Sequence, residues 1–187
     1  MGRPPLVARD DLLRAARELA LEQGSAAVTA AGVAARLRRP SGSLYHRFAS
    51  RDHLLAEAWL EAVQSFQVDY LRRLEAGDVP GAARHVVAWS REQPARAALL
   101  TAFRRTDMLG SSWPPEVADR AVAAHSVLER ALRGCARRLG VPLTAVMAAA
   151  VDLPYGLVRR KLSDGTLTRL DEQTVRQAAG AILSAAK

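Results

Sequence analysis

Arg38-Arg39-Pro40-Ser41-Gly42-Ser43-Leu44-Tyr45-His46-Arg47-Phe48 is the stretch on which the reading of this 187-residue chain turns. Pro40 suits the first turn of a short helix, where its missing N–H is harmless. Leu44 and Phe48 lie four residues apart, so one helix face can turn both inward. Ser41, Ser43, Tyr45, His46 and Arg47 remain for the outer face. Gly42 carries no side chain, which permits close approach to a flat or grooved partner. The outer face thus offers hydroxyls, an imidazole and a guanidinium, groups able to reach phosphates and base edges.

Upstream, a first helix is expected to start near Asp10 or Asp11, with Leu12, Ala16, Leu19 and Ala20 on one face and Gly24 closing it. A second, short helix is expected from Thr29, with Val33, Ala34 and Leu37 inward. Three short helices with a tight turn between the second and third predict a helix-turn-helix between about residues 29 and 48. The charge agrees. The chain carries net charge +8, and Lys161 and Lys187 are its only lysines. Residues 1–51 hold nine arginines against Asp10, Asp11, Glu18 and Glu22, the basic bias expected of a surface that releases counterions from nucleic acid.

The stretch Gly42-Ser43-Leu44-Tyr45-His46-Arg47-Phe48, followed by Arg51, Leu54 and Leu55, resembles the recognition helix of TetR-family repressors. Thr29, Val33 and Ala34 fall at that family's spacing in the second helix. Met1-Gly2-Arg3-Pro4 and Leu12-Leu13-Arg14-Ala15-Ala16, ending at Gln23-Gly24, are similar too. The likeness is close over residues 1 to about 56. It implies that Thr29, Tyr45 and Arg51 hold the DNA backbone, while Ser41, Ser43 and either Arg39 or His46 face bases. For His46, a phosphate neighbour and a base reader are equal readings. The chain departs from the family at the turn, where Arg38 and Arg39 replace its usual glycine and valine and Pro40 its frequent serine. Arg47 stands where histidine or tyrosine is common. These arginines add phosphate-binding capacity, the alternative being a solvated basic face.

Downstream, the chain reads as helix after helix, so the fold class is all-α. A fourth helix capped by Ser50 or Asp52 is expected to run through Tyr70, joining an N-terminal unit (1–50) to a helical body (51–187). Gly77–Gly81 is a break, and further helices are expected over 82–92, 94–107, 115–139, 143–162 and 171–186, with Pro154 and Gly156 kinking the second last. In the resembled family such a body binds an effector and forms the dimer. Trp59, Phe66, Trp89, Phe103, Met108 and Trp113, with His85 and His125, are candidates for lining an apolar pocket, or else plain core. Val146, Ala150 and Leu157, with Val175, Ala178, Ala179, Ile182 and Leu183 of the last helix, are candidates for a four-helix dimer interface, or else bury only within their own chain.

No nucleophile elbow, phosphate-binding glycine loop or metal-spaced His/Cys set is present, so no catalysis, cofactor or metal is expected. Cys135, alone, reads as a small buried apolar residue. No apolar run reaches membrane-spanning length and the N-terminus lacks a secretory signal, so a cytoplasmic protein without membrane contact is expected. The expected partners are a double-stranded DNA operator, an unidentified small-molecule effector and a second copy of the chain. Two other classes stay open: a ligand-independent DNA-binding protein and an all-helical enzyme with an incidental basic N-terminus.

Overall fold

The computed structural model describes residues 8–39, 48, 50–102 and 113–187, and every regular element among them is helical. The eight helices labelled here are α1 (Arg9–Gln23), α2 (Ala30–Leu37), α3 (Arg51–Glu75), α4 (Val79–Glu92), α5 (Pro94–Ala102), α6 (Pro115–Leu139), α7 (Leu143–Lys161) and α8 (Arg169–Ala185). A single 3-10 turn, Ser25–Ala27, separates α1 from α2. The short helix expected over 40–48 lies outside the described residues except for Phe48.

Local chemistry sets the helix ends. α1 begins one to two residues before the expected cap: Ala8 precedes it without a side-chain bond, and Asp10 and Asp11 sit in the first turn. There they face the positive end of the helix dipole, so they stabilise the start without capping it. Thr29 caps α2, its hydroxyl accepting from the Gly32 amide at 2.9 Å. Ser50 caps α3 by accepting from the His53 amide at 3.0 Å. Asp78 accepts from the Gly81 amide at 2.8 Å and starts α4. Thr168 and Asp171 form a reciprocal capping box at α8.

α7 is not a uniform helix. Its central segment, Ala148–Asp152, winds as a π-turn between two α-helical stretches. Pro154 accounts for this, because it has no N–H to give the carbonyl four residues back and its ring crowds that carbonyl. That carbonyl belongs to Ala150, and the buried hydroxyl of Tyr70 donates to it at 2.8 Å.

The apolar side chains gather in three buried clusters. The first lies in the N-terminal region and joins Leu12, Leu13, Ala16, Val28, Val33 and Phe48 to Leu54, Leu55 and Ala58 of α3. Leu99 of α5, fully buried, completes it. The second cluster fills the body, where α8 packs along α4 and α7 covers one end. The third, around Trp59, Leu60, Val117 and Ala121, lies between α3 and α6. α3 contributes to all three, so one 25-residue helix is the common wall of the molecule.

Candidate nucleic-acid interface

The N-terminal arginines separate into two groups. Arg9, Arg14, Arg17 and Arg36 are committed to carboxylates. Arg36 forks onto Glu22 with two 2.7 Å bonds and reaches Glu18 at 2.8 Å, tying α2 to α1. This hydrogen bonding raises the Arg36 pKa further and lowers that of Glu22. Arg14 pairs with Asp11 at 2.8 Å. Arg9 donates to Glu57, and Arg17 to Glu61 at 2.5 Å. Burial pulls the Arg17 guanidinium down from its ordinary value, and Glu61 opposes that shift. Charge counted along the sequence therefore overstates what α1 offers to solvent.

Arg38 and Arg39 behave differently. Both are exposed, and neither forms an ion pair with another described residue. Arg38 closes α2 in the left-handed conformation, with φ 51°. A non-glycine side chain there costs roughly 1 kcal/mol, and the position is the one where glycine would ordinarily stand. The cap is held by the Arg38 amide donating to the Ala35 carbonyl at 3.1 Å and the Arg39 amide to the Ala34 carbonyl at 3.0 Å. The turn thus closes without its glycine and carries two cations at its tip.

Thr29 is exposed, and its oxygen accepts the α2 cap while its proton stays available for a further acceptor. Arg51 donates through Nε to the Val28 carbonyl at 2.7 Å and lies 3.4 Å from Asp52. It ties the start of α3 to the residue preceding Thr29, so both flank the same corner. Ser41, Gly42, Ser43, Tyr45, His46 and Arg47 lie outside the described residues.

The expected pocket residues occupy separate places. Trp59 meets Trp113 edge-on at 5.8 Å, and its buried indole N–H has no hydrogen-bond partner among the described residues. Phe66 packs with its ring tilted against Tyr70 at 4.7 Å and His85 at 5.4 Å, and meets Trp89 edge-on at 5.4 Å. His85 donates through Nε2 to the Phe66 carbonyl at 3.1 Å, and burial pushes its imidazole below the ordinary histidine value. His125 stands elsewhere on α6, 3.7 Å from Glu129. Phe103 and Met108 lie outside the described residues. Of the proposed interface residues, Val146, Ala150, Val175, Ala179 and Leu183 are buried in the chain's own core, while Leu157, Ala178 and Ile182 remain half-buried. Among the described residues no group of three potential ligands can hold a metal ion. No helix among them is long and apolar enough alone to cross a membrane.

Sequence reasoning missed the connection between this N-terminal unit and the body. Glu57 and Glu61, one turn apart on α3, each hold two arginines. Glu57 binds Arg9 of α1 and, at 2.9 Å, Arg120 of α6. Glu61 binds Arg17 of α1 and, at 2.7 Å, Arg96 of α5. The only advance signal was a pair of acidic residues at i and i+4 inside an otherwise apolar stretch of α3.

Among the described residues the elements are helical, and α2 ends in a tight, exposed turn that carries Arg38 and Arg39. Residues 12–58 match the sequence pattern of the family described as bacterial regulatory proteins, tetR family. Over these residues the chain is similar to that family. Over the full length the likeness is one of fold. The TetR-family regulator PfmR from Thermus thermophilus superposes with a TM-score of 0.70 at 23% identity, over 92% of this chain and 97% of that one. A transcriptional regulator from Rhodococcus sp. Rha1 gives 0.70 at 21% identity, over 96% and 98%. A TetR-family regulator from Marinobacter aquaeolei VT8 gives 0.66 at 16% identity, over 93% and 94%. No curated protein sequence matches the chain.

Proposed function

We propose that the chain is a homodimeric, effector-responsive transcriptional repressor that binds an inverted-repeat DNA operator. The N-terminal unit, residues 1–50, reads DNA, and the body, residues 51–187, pairs with a second copy and senses a small molecule. The observation that carries this reading is the partition of arginines. Four are neutralised within the fold, and Arg38 and Arg39 stand uncommitted at the turn that precedes the recognition segment.

In this reading Arg38, Arg39, Thr29 and Arg51 engage phosphates with Tyr45 and Arg47. Ser41, Ser43 and His46 face bases, and Gly42 allows the close approach. One short helix reads too few base pairs for a useful site. A two-fold pair sets two half-sites one DNA turn apart, roughly 34–36 Å. The half-buried outer residues of α7 and α8, Leu157, Ala178 and Ile182, support pairing through that face. Effector binding favours a body geometry in which the half-site spacing no longer fits, and α3 transmits it through Glu57 and Glu61.

Selection from random-sequence DNA, repeated with a panel of metabolites, tests the proposal. The expected outcome is a palindromic site that at least one compound releases. A monomeric chain that binds all sequences equally at physiological salt overturns it.

A further inference from the structure

Between α6 and α7 the chain turns through 118°, leaving a wedge-shaped cleft of about 350 Å³. Its walls are Leu128 and Leu132 of α6 and Leu143, Met147 and Val151 of α7. Val151 sits in the π-turn, so the irregularity that Pro154 imposes helps shape this wall. The volume suits a small ligand rather than a peptide or a large cofactor.

The two ends of the cleft differ in charge. At the hinge end it runs into a second concavity that shares Arg133 and Leu143 and adds Arg137 and Pro142. Arg133 and Arg137 lie one turn apart on α6, both exposed, and neither has an ion pair or hydrogen bond among the described residues. At the opposite end Glu129 sits 3.7 Å from His125. A carboxylate there repels an anionic group, and two unpaired guanidiniums at the other end attract one. Arg84, Arg91, Arg96 and Arg120 of the body are paired with carboxylates, whereas Arg130, Arg159, Arg160, Arg169 and Arg176 share with Arg133 and Arg137 the lack of an ion pair among the described residues but do not line this cleft.

We propose that the α6–α7 cleft binds an amphipathic anion, its apolar tail between Leu132 and Met147 and its headgroup on Arg133 and Arg137. This deepens the effector-responsive reading proposed above, from which it takes the expectation that a small molecule binds the body. The shared chemistry is a short aliphatic chain ending in a carboxylate or phosphate. Glu129 sets the direction, so the tail points away from the arginines along the cleft.

Isothermal titration of the full-length chain with decanoate, decyl phosphate and decanol tests the site without DNA present. Decanoate or decyl phosphate is expected to bind once per chain, and decanol about tenfold more weakly, the loss of one charge-assisted contact. The preference between the two anions identifies the headgroup. The double substitution Arg133→Gln with Arg137→Gln, at two exposed positions, is expected to bring the anions down to the decanol level. Met147→Trp, which fills the cleft, is expected to abolish binding of all three. Equal affinity for decanol, no binding of either anion, or binding unchanged by the arginine pair overturns the proposal. So does protection of the cleft by a second copy in the dimer. Operator release is then measured separately. A chain that binds the anion through these arginines yet holds DNA unchanged keeps the site and removes its regulatory role. A chain that binds DNA and is released only by other compounds keeps the regulator and removes the site.

Discussion

The hydroxyl of Tyr70, on α3, donates to the main-chain carbonyl of Ala150, on α7, across 80 residues of chain. Pro154 leaves that carbonyl without its helical donor, and Tyr70 supplies the replacement. Burial pushes the Tyr70 phenol well above its ordinary value, so it stays protonated and remains a donor across the working pH range. Tyr70→Phe leaves a buried acceptor unsatisfied and is expected to cost about 1–3 kcal/mol in urea unfolding. In a Pro154→Ala background the helix regains its own donor, and the cost of Tyr70→Phe is expected to shrink by half or more. Equal costs in both backgrounds refute the link.

The two carboxylates of α3 are expected to couple the N-terminal unit to the body energetically. A double-mutant cycle of Glu57→Gln with Arg120→Gln is expected to show an interaction energy of about 0.5–2 kcal/mol, since Glu57 is largely buried and Arg120 is nearly half exposed. Glu61→Gln with Arg96→Gln is expected to behave alike. Additivity within a few tenths of a kcal/mol in both cycles shows that the bridges carry no coupling.

Arg36 and Arg39 lie three residues apart and are expected to respond in opposite ways. Arg39→Gln is expected to weaken DNA binding and reduce the salt slope by about 0.9, one phosphate contact, with little change in stability. Arg36→Gln breaks the α1–α2 bridge to Glu18 and Glu22. It is expected to lower the unfolding midpoint and leave the salt slope unchanged. Fluorescence anisotropy across a salt series, beside thermal unfolding, separates the two.

Acid is expected to loosen the body through His85 before it reaches the carboxylates. Burial holds the folded-state imidazole below its unfolded value near 6.5. The unfolded chain therefore binds the proton more readily. The stability is fully present above that unfolded value and is lost as pH falls through the folded one. His85→Leu is expected to flatten this limb of the stability curve below about pH 6.5. Asp171 gives a second limb at lower pH. The Lys161 ammonium, bonded at 2.7 Å, holds its carboxyl below the ordinary value of ~3.9, so that stability disappears only on further acidification. A stability curve of the parent that shows no loss on acidification below about pH 6.5 ahead of the carboxylate limb, or one unaltered by His85→Leu, rejects the assignment.

Gly81→Ala tests the α4 cap. An added Cβ would sit 1.8 Å from the Asp78 carboxylate. The carboxylate must leave the Gly81 amide, and about 0.5–2 kcal/mol of capping energy is lost. Asp78→Ala is expected to cost a similar amount, and the two together little more than either. Full additivity excludes the shared mechanism.

Much of the architecture was legible because glycine and proline punctuate it. Gly24, Pro94, Gly140 and Pro142 mark helix ends where the sequence places them. The helix of 115–139 has the expected bounds, and Ser50 caps α3 as one of the two readings required. What escaped were contacts between residues distant in sequence. Nothing local distinguishes Arg36, bound to α1, from Arg39, which is not; the difference lies in which side of α2 faces Glu18 and Glu22. The aromatic residues read as pocket lining or else plain core, and helical spacing could not say which neighbours each would meet, because it records a face but not what packs against it. In the fold Trp59 turns toward α6 while Phe66 turns toward α4. The cleft beside His125 was hidden for the same reason, since Met147 and Val151 read as part of an apolar face for pairing or for the chain's own core until α6 is placed across from them.

Leu99 is carried by α5 of the body, yet it is buried in the N-terminal core against residues of α1 and α3. The N-terminal core therefore draws on residues beyond position 50. Cut there, it would lose Leu54, Leu55, Ala58 and Leu99 together and leave Leu12 and Val33 wet. The same peg makes α5 part of the N-terminal core, so a change in that helix's seat is a change in the packing of α1 and α3 as well.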